Sequence, residues 1–202
     1  MTLLRRVAVA SVGLLLLAAC GDDSETAAPR LLSGYETDPA PVVADVTLPD
    51  ASQNGDDFRM VAGDGRLLIV YFGYTSCPDV CPTTLAEVKK AFKQLGAKAD
   101  LVDVAMVTID PDRDTDDVIT GYVQSFLPGS HALRSTDPEQ LKAAADAFGA
   151  AFSVTTLDDG EIEVSHSASM YVVDSTGTVV LAWPFGIPAD GIATDLEILF
   201  DR

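Results

Sequence analysis

One run constrains this chain more than any other. Leu67-Leu68-Ile69-Val70-Tyr71-Phe72 passes straight into Gly73-Tyr74-Thr75-Ser76-Cys77-Pro78-Asp79-Val80-Cys81-Pro82-Thr83-Thr84-Leu85. An apolar run without polar alternation reads as a strand buried on both faces. That requires a sheet covered on each side. The loop after it carries two cysteines, each followed by proline, and a residue before proline is pushed out of the α region. Cys77 and Cys81 are therefore expected on an irregular loop and not as neighbours on one helix. Pro82 suits the first position of a helix, which puts Cys81 at the N-terminal cap. The positive helix end there favours thiolate, the form that acts as nucleophile and metal ligand.

The third cysteine has a separate explanation. Arg5-Arg6 precede an apolar run, Val7 to Ala19, that ends in Leu17-Ala18-Ala19-Cys20-Gly21. A basic start, a short apolar stretch and small residues before a cleavage point describe an export signal. The run is shorter than the roughly 20 residues that cross a bilayer. Leu-Ala-Ala-Cys resembles a bacterial lipobox, which implies cleavage before Cys20, lipidation of its thiol and anchoring at the extracytoplasmic face of the cell membrane. The expected layout is a signal peptide over 1–19, a lipidated N-terminus and flexible linker over 20–41, and one domain over 42–202. Without residues 1–19 the chain carries 11 basic against 31 acidic residues. That balance disfavours nucleic acid and anionic membrane as electrostatic partners. Two cysteines separated by three residues close too small a loop to staple a fold, so the pair asks for redox or metal chemistry.

Along the chain, Val42 to Leu48 reads as a first strand, followed by turn clusters over Asp50 to Gly55 and Gly63 to Gly65. Leu85, Val88, Phe92 and Leu95 recur at helical spacing, closed by Gly96. A strand over Leu101 to Ile109 precedes a helix from Asp116 to Phe126 capped by Thr115. His131 to Leu133 is a short strand. Asp137-Pro138-Glu139-Gln140 combines a cap, a first-turn proline and a capping-box partner for a helix to Phe148. Short extended runs cover Ala151 to Thr155 and Glu161 to Val164. Asp174-Ser175-Thr176-Gly177 marks a hairpin between Ala168 to Val173 and Thr178 to Ala182. A last helix opens at Ile187 or Pro188 and runs to about Phe200. The order implies α/β: a central mixed β-sheet flanked by helices. A cysteine loop between strand and helix fits a thioredoxin-like arrangement.

Three stretches resemble one family. Tyr71 to Leu85 is similar to the core motif of the Sco/SenC proteins, Thr108-Ile109-Asp110-Pro111-Asp112-Arg113-Asp114-Thr115 to their second, and His166 to Asp174 to their third. The resemblance runs from Val42 to Phe200. It implies a thioredoxin-like fold, copper bound through Cys77, Cys81 and His166, and a role in cytochrome c oxidase assembly. Copper would pass to the binuclear centre of subunit II, or that subunit's cysteines would be reduced. A monomer is expected. One departure is Ser165, where many members carry an acid before the histidine. Two thiolates and an imidazole suit Cu(I), and can also hold Cu(II). Zinc is the chemical rival for the same donors.

The sulfurs are also close enough in sequence for a Cys77–Cys81 disulfide, so the competing reading is an extracytoplasmic thiol–disulfide oxidoreductase using both as its catalytic redox pair. Three residues, not two, separate the cysteines, no proline precedes the strand after His166, and such an enzyme has no need of His166. A redox or copper sensor is a third reading. His131 is read as a loop residue, Asp79 as a solvated turn residue, a weak fourth ligand or an influence on thiolate charge from beside the ligands, and Asp110, Arg113 and Asp114 as scaffold or docking loop. Met170 and Tyr171 are read as packed strand residues, and Trp183 and Phe185 as core or partner patch.

Overall fold

The computed structural model describes residues 31–202; the signal peptide expected over 1–19 and the lipidation expected at Cys20 lie outside the described residues. Seven strands form one sheet: β1 (Thr47–Asp50), β2 (Asp56–Arg59), β3 (Leu67–Gly73), β4 (Val102–Thr108), β5 (His131–Leu133), β8 (Met170–Val173) and β9 (Val179–Trp183). Their order across it is β2-β1-β5-β4-β3-β8-β9. The hairpin of β6 (Phe152–Thr156) and β7 (Ile162–His166) stands apart from it. β3 lies parallel to β4, β4 parallel to β5, and β8 runs antiparallel to β3. Every residue of β3 is buried, as its composition requires.

Alternation along β3 divides the core in two. Leu67, Ile69 and Tyr71 face a cluster with residues of α1 (Val80–Leu95), α2 (Asp116–Phe126) and α4 (Ala189–Phe200). Leu68, Val70 and Phe72 face α3 (Pro138–Phe148). Both faces are therefore covered, and the architecture is the mixed α/β one expected. Among the described residues, no helix is long and apolar enough to cross a membrane.

Several expectations are corrected. The first strand is Thr47–Asp50, later than Val42 to Leu48, and a second strand, Asp56–Arg59, pairs with it between the two turn clusters, where no strand was expected. Gln140 does not complete a capping box: its amide donates to the Thr47 carbonyl and its oxygen accepts from the Ser135 hydroxyl. Asp137 does cap α3, accepting from the Glu139 and Gln140 N–H groups. His131 begins β5 and is held against buried Asp50, with Nδ1 2.6 Å from the carboxylate.

The stretch expected to be a tether is partly tied down. Ser33 and Gly34 donate their N–H groups to the Asp195 carboxylate at 2.8 Å, and Tyr35 exchanges backbone hydrogen bonds with Ala182. Asp195 is fully buried on α4 and also accepts the Trp183 indole N–H at 2.8 Å. Trp183 thus belongs to the core, whereas Phe185 is exposed.

Candidate metal centre

The site forms where β3 ends. α1 starts at Val80 with Asp79 as its N-cap, so Cys77 lies on the loop and Cys81 in the first helical turn. Cys81 is therefore not the cap residue. Pro82 is still tolerated, because first-turn N–H groups have no partner within the helix. One such group does find a partner nearby: the Cys81 N–H donates to the Cys77 sulfur at 3.2 Å. The helix terminus meets Cys77, while the Cys81 side chain turns into the core.

That burial reverses the expected electrostatics of Cys81. Removal from water disfavours the thiolate and pushes its pKa up to about 12, against smaller opposing contributions led by the hydrogen bond from Tyr71. The metal-free site thus holds Cys81 as a neutral thiol at pH 7. Tyr71 and Tyr122 are raised by burial as well, and Tyr171 to about 12. Each is an acid that the fold keeps protonated. Their stabilisation is complete below the pH at which the unfolded groups ionise, ~8.5 for a thiol and ~10 for a phenol. For Cys81 and Tyr171 it is lost as the pH climbs through about 12. Melting temperatures of the reduced, metal-free protein should fall steadily above pH ~9; a flat profile to pH ~11.5 would contradict this assignment.

His166 arrives from far along the chain, on the last residue of β7, paired in register with Phe152 of β6. Its Nδ1 is 3.0 Å from the Ser167 carbonyl oxygen, which can only accept, so the proton sits on Nδ1. The lone pair of Nε2 then faces the sulfurs, 3.9 Å from Cys81 Sγ. Such a hydrogen bond on the far nitrogen is the usual means of fixing a ligating imidazole. Tyr71 and Tyr74 present their rings edge-on to the imidazole at 6.3 and 5.9 Å. Burial lowers the His166 pKa, which keeps the ring neutral and able to donate its lone pair.

The donor atoms of Cys77, Cys81 and His166 all lie within 4.8 Å of one another, and both cysteines are free thiols. Two soft sulfurs and one borderline nitrogen, closely gathered and largely shielded from water, fit a thiophilic cation. The other named residues take supporting or separate places. Asp79 is exposed and accepts from the Thr83 hydroxyl at 3.3 Å. Met170 is buried opposite Tyr71 in the β3–β8 register. Arg113 pairs with Asp110, and its guanidinium lies 6.0 Å above the Tyr74 ring. Ser165 is exposed.

Asp114 has a larger part than its sequence suggests. Fully buried, it accepts from the Thr75 N–H at 3.0 Å, the Thr75 hydroxyl at 2.5 Å and the Thr108 hydroxyl at 2.7 Å. It ties the cysteine loop to the end of β4. Gly73 is a second residue that sequence reasoning passed over. A Cβ there would stand 2.8 Å from the Tyr71 ring and 3.1 Å from Cys81 Sγ. An isolated glycine at the end of a strand is a signal for such close approach.

A thioredoxin-like α/β domain with two thiols and an imidazole gathered beyond its central strand defines a class of metal-binding or thiol-redox proteins. Comparison with known proteins narrows the class. The chain belongs to the SCO1/SenC family, which matches residues 36–201. A SCO2-like protein of Rickettsia prowazekii is 34% identical over 128 residues, covering 62% of each chain. Among solved structures, apo Sco1 of Thermus thermophilus is 31% identical with a TM-score of 0.73, covering 85% of this chain and 99% of that one. The copper-bound ScoI of Bradyrhizobium japonicum is 29% identical with a TM-score of 0.65, covering 78% and 96%.

Proposed function

We propose that this chain is a membrane-tethered, extracytoplasmic copper carrier that serves the maturation of the binuclear copper centre of cytochrome c oxidase. The observation that carries the reading is the convergence of Cys77 Sγ, Cys81 Sγ and His166 Nε2 from two distant elements. A redox pair alone needs only the two sulfurs. The imidazole, already in the tautomer that leaves Nε2 free, is what a metal site adds. Family membership and the copper-bound ScoI structure support copper over zinc as the cargo. Tethering rests on the lipobox-like Leu17-Ala18-Ala19-Cys20, and subunit II as recipient on the family resemblance.

The chemistry follows from the residues. Loading displaces the thiol protons of Cys77 and Cys81, so affinity rises with pH. Cys77 is 8% exposed against 0% for Cys81, which makes it the sulfur that an incoming ligand reaches first. Release then proceeds by exchange of Cys77 for a thiolate of the acceptor, with Cys81 and His166 letting go in turn.

The same closeness of the sulfurs favours thiol–disulfide exchange as a second activity. Oxidation joins Cys77 Sγ to Cys81 Sγ, releases two protons and passes two electrons to the target disulfide, which is reduced to two thiols. Because copper needs both thiolates, the two activities exclude each other at any instant. The test is a Cu(I) titration of the purified protein against a chelator, with the cysteines reduced and then oxidised. Tight one-to-one binding by the reduced form is expected, with a loss of more than about 100-fold on oxidation. Equal affinity in the two states would refute the carrier reading. Rapid disulfide exchange with no copper affinity would leave the oxidoreductase.

A further inference from the structure

One buried hydroxyl meets the site without belonging to the ligand set. Tyr71 and Cys81 are both fully buried, and the Tyr71 O–H donates to Cys81 Sγ at 3.3 Å. β3 fixes the ring from behind: Tyr71 pairs with Met106 of β4 on one side and Met170 of β8 on the other. Gly73 leaves room in front, since a Cβ there would crowd the ring, Cys81 Sγ and the Met106 methyl at 2.8, 3.1 and 3.2 Å. The contact is thus built by three strands and a helix and cannot relax by a simple side-chain turn.

We propose that Tyr71 is a positioning residue that sets the preference of the site for Cu(I) over Cu(II) by donating its hydroxyl hydrogen to the Cys81 sulfur. The inference rests on the copper reading above. A hydrogen bond draws electron density from a thiolate. An oxidised copper ion depends more on that density than a reduced one, so the donor shifts the balance toward Cu(I). Hydrogen bonding around a cysteine sulfur is an established means of tuning copper potentials. Tyr71 reads in the sequence as one more strand residue; the bond depends on α1 turning Cys81 inward.

The experiment compares the full-length wild type with Tyr71→Phe and Tyr171→Phe, each loaded with copper. The control removes a buried phenol from the opposite core cluster, away from the sulfurs. Spectroelectrochemistry reads the Cu(II)/Cu(I) potential, and absorption reads the thiolate-to-Cu(II) band. For Tyr71→Phe the ratio of Cu(I) to Cu(II) affinity should fall about tenfold, equivalent to a potential ~59 mV lower for one electron, with a displaced band. Tyr171→Phe should match the wild type. General loosening would weaken both oxidation states and leave the ratio unchanged. A loaded Tyr71→Phe protein with the wild-type potential overturns the role of Tyr71 and leaves the carrier reading intact. A wild type that takes no copper overturns both. Should Tyr71→Phe fail to fold, wild type labelled with 3-fluorotyrosine, a stronger donor, should move the potential upward; no movement would equally overturn the proposal.

Discussion

Replacing Cys81 by serine should lower Cu(I) affinity by more than about 100-fold, the upper end of what removing a mere supporting residue does to a metal site. Cys77→Ser should do the same. A hydroxyl has nearly the shape of a thiol but offers a hard, neutral oxygen where the soft cation needs a thiolate. The fold should survive Cys81→Ser, because the new hydroxyl would still accept from the Tyr71 O–H that now points at the sulfur. His166→Ala should lose less for Cu(I), since both sulfurs remain, and proportionately more for Cu(II), for which imidazole is a better match. Competition with chelators selective for each oxidation state gives the affinities of the three variants and the wild type. A Cys81→Ser protein that holds Cu(I) like the wild type would remove Cys81 from the ligand set. A His166→Ala protein unchanged for both ions would return the pair to simple redox chemistry.

How much of this was legible beforehand depended on how local each signal was. The unbroken apolar run of β3 declared a strand buried on both faces, and Asp137-Pro138 marked the start of α3, because their causes lie within a few residues. β2 was hidden: Asp56–Arg59 is polar and mostly exposed, and it is a strand only because it pairs with β1 at the sheet edge. Residues 33–35 looked like tether for a similar reason. Their anchor, Asp195, lies 162 residues further on. The ligands were found by their place in family motifs, since a lone histidine before a strand has no metal signature of its own. What the motifs left out was the direction of each side chain. Cys81 was expected to gain thiolate character as the cap of a helix, yet α1 begins two residues earlier, with Asp79 as its cap, and Cys81 points into the core, where desolvation prevails. The bond from Tyr71 and the gap left by Gly73 follow from that same inward turn.

Asp114→Ala should be the most damaging change outside the ligands, although it touches none of them. Its carboxyl group holds three donors, the Thr75 N–H and hydroxyl and the Thr108 hydroxyl, and is itself fully buried. Alanine leaves all three unpaired, and breaking a buried polar network of this kind costs about 3–5 kcal/mol. For a domain of this size the melting temperature should drop on the order of 10 °C. Copper affinity should also fall, by about 10–100-fold, because Thr75 stands two residues before Cys77 and Asp114 anchors it through both its N–H and its hydroxyl. Asp114→Asn tests whether the hydrogen bonds account for both effects. An asparagine oxygen can take the place of the one that accepts from the Thr75 N–H and Thr108, while its NH₂ can donate to a Thr75 hydroxyl that has turned to accept. Asparagine should therefore recover most of the stability and most of the copper affinity together. Calorimetry beside a Cu(I) titration reads both. An alanine variant that melts like the wild type would show that the loop is ordered by something else, and one that melts low yet binds copper normally would detach Asp114 from the site.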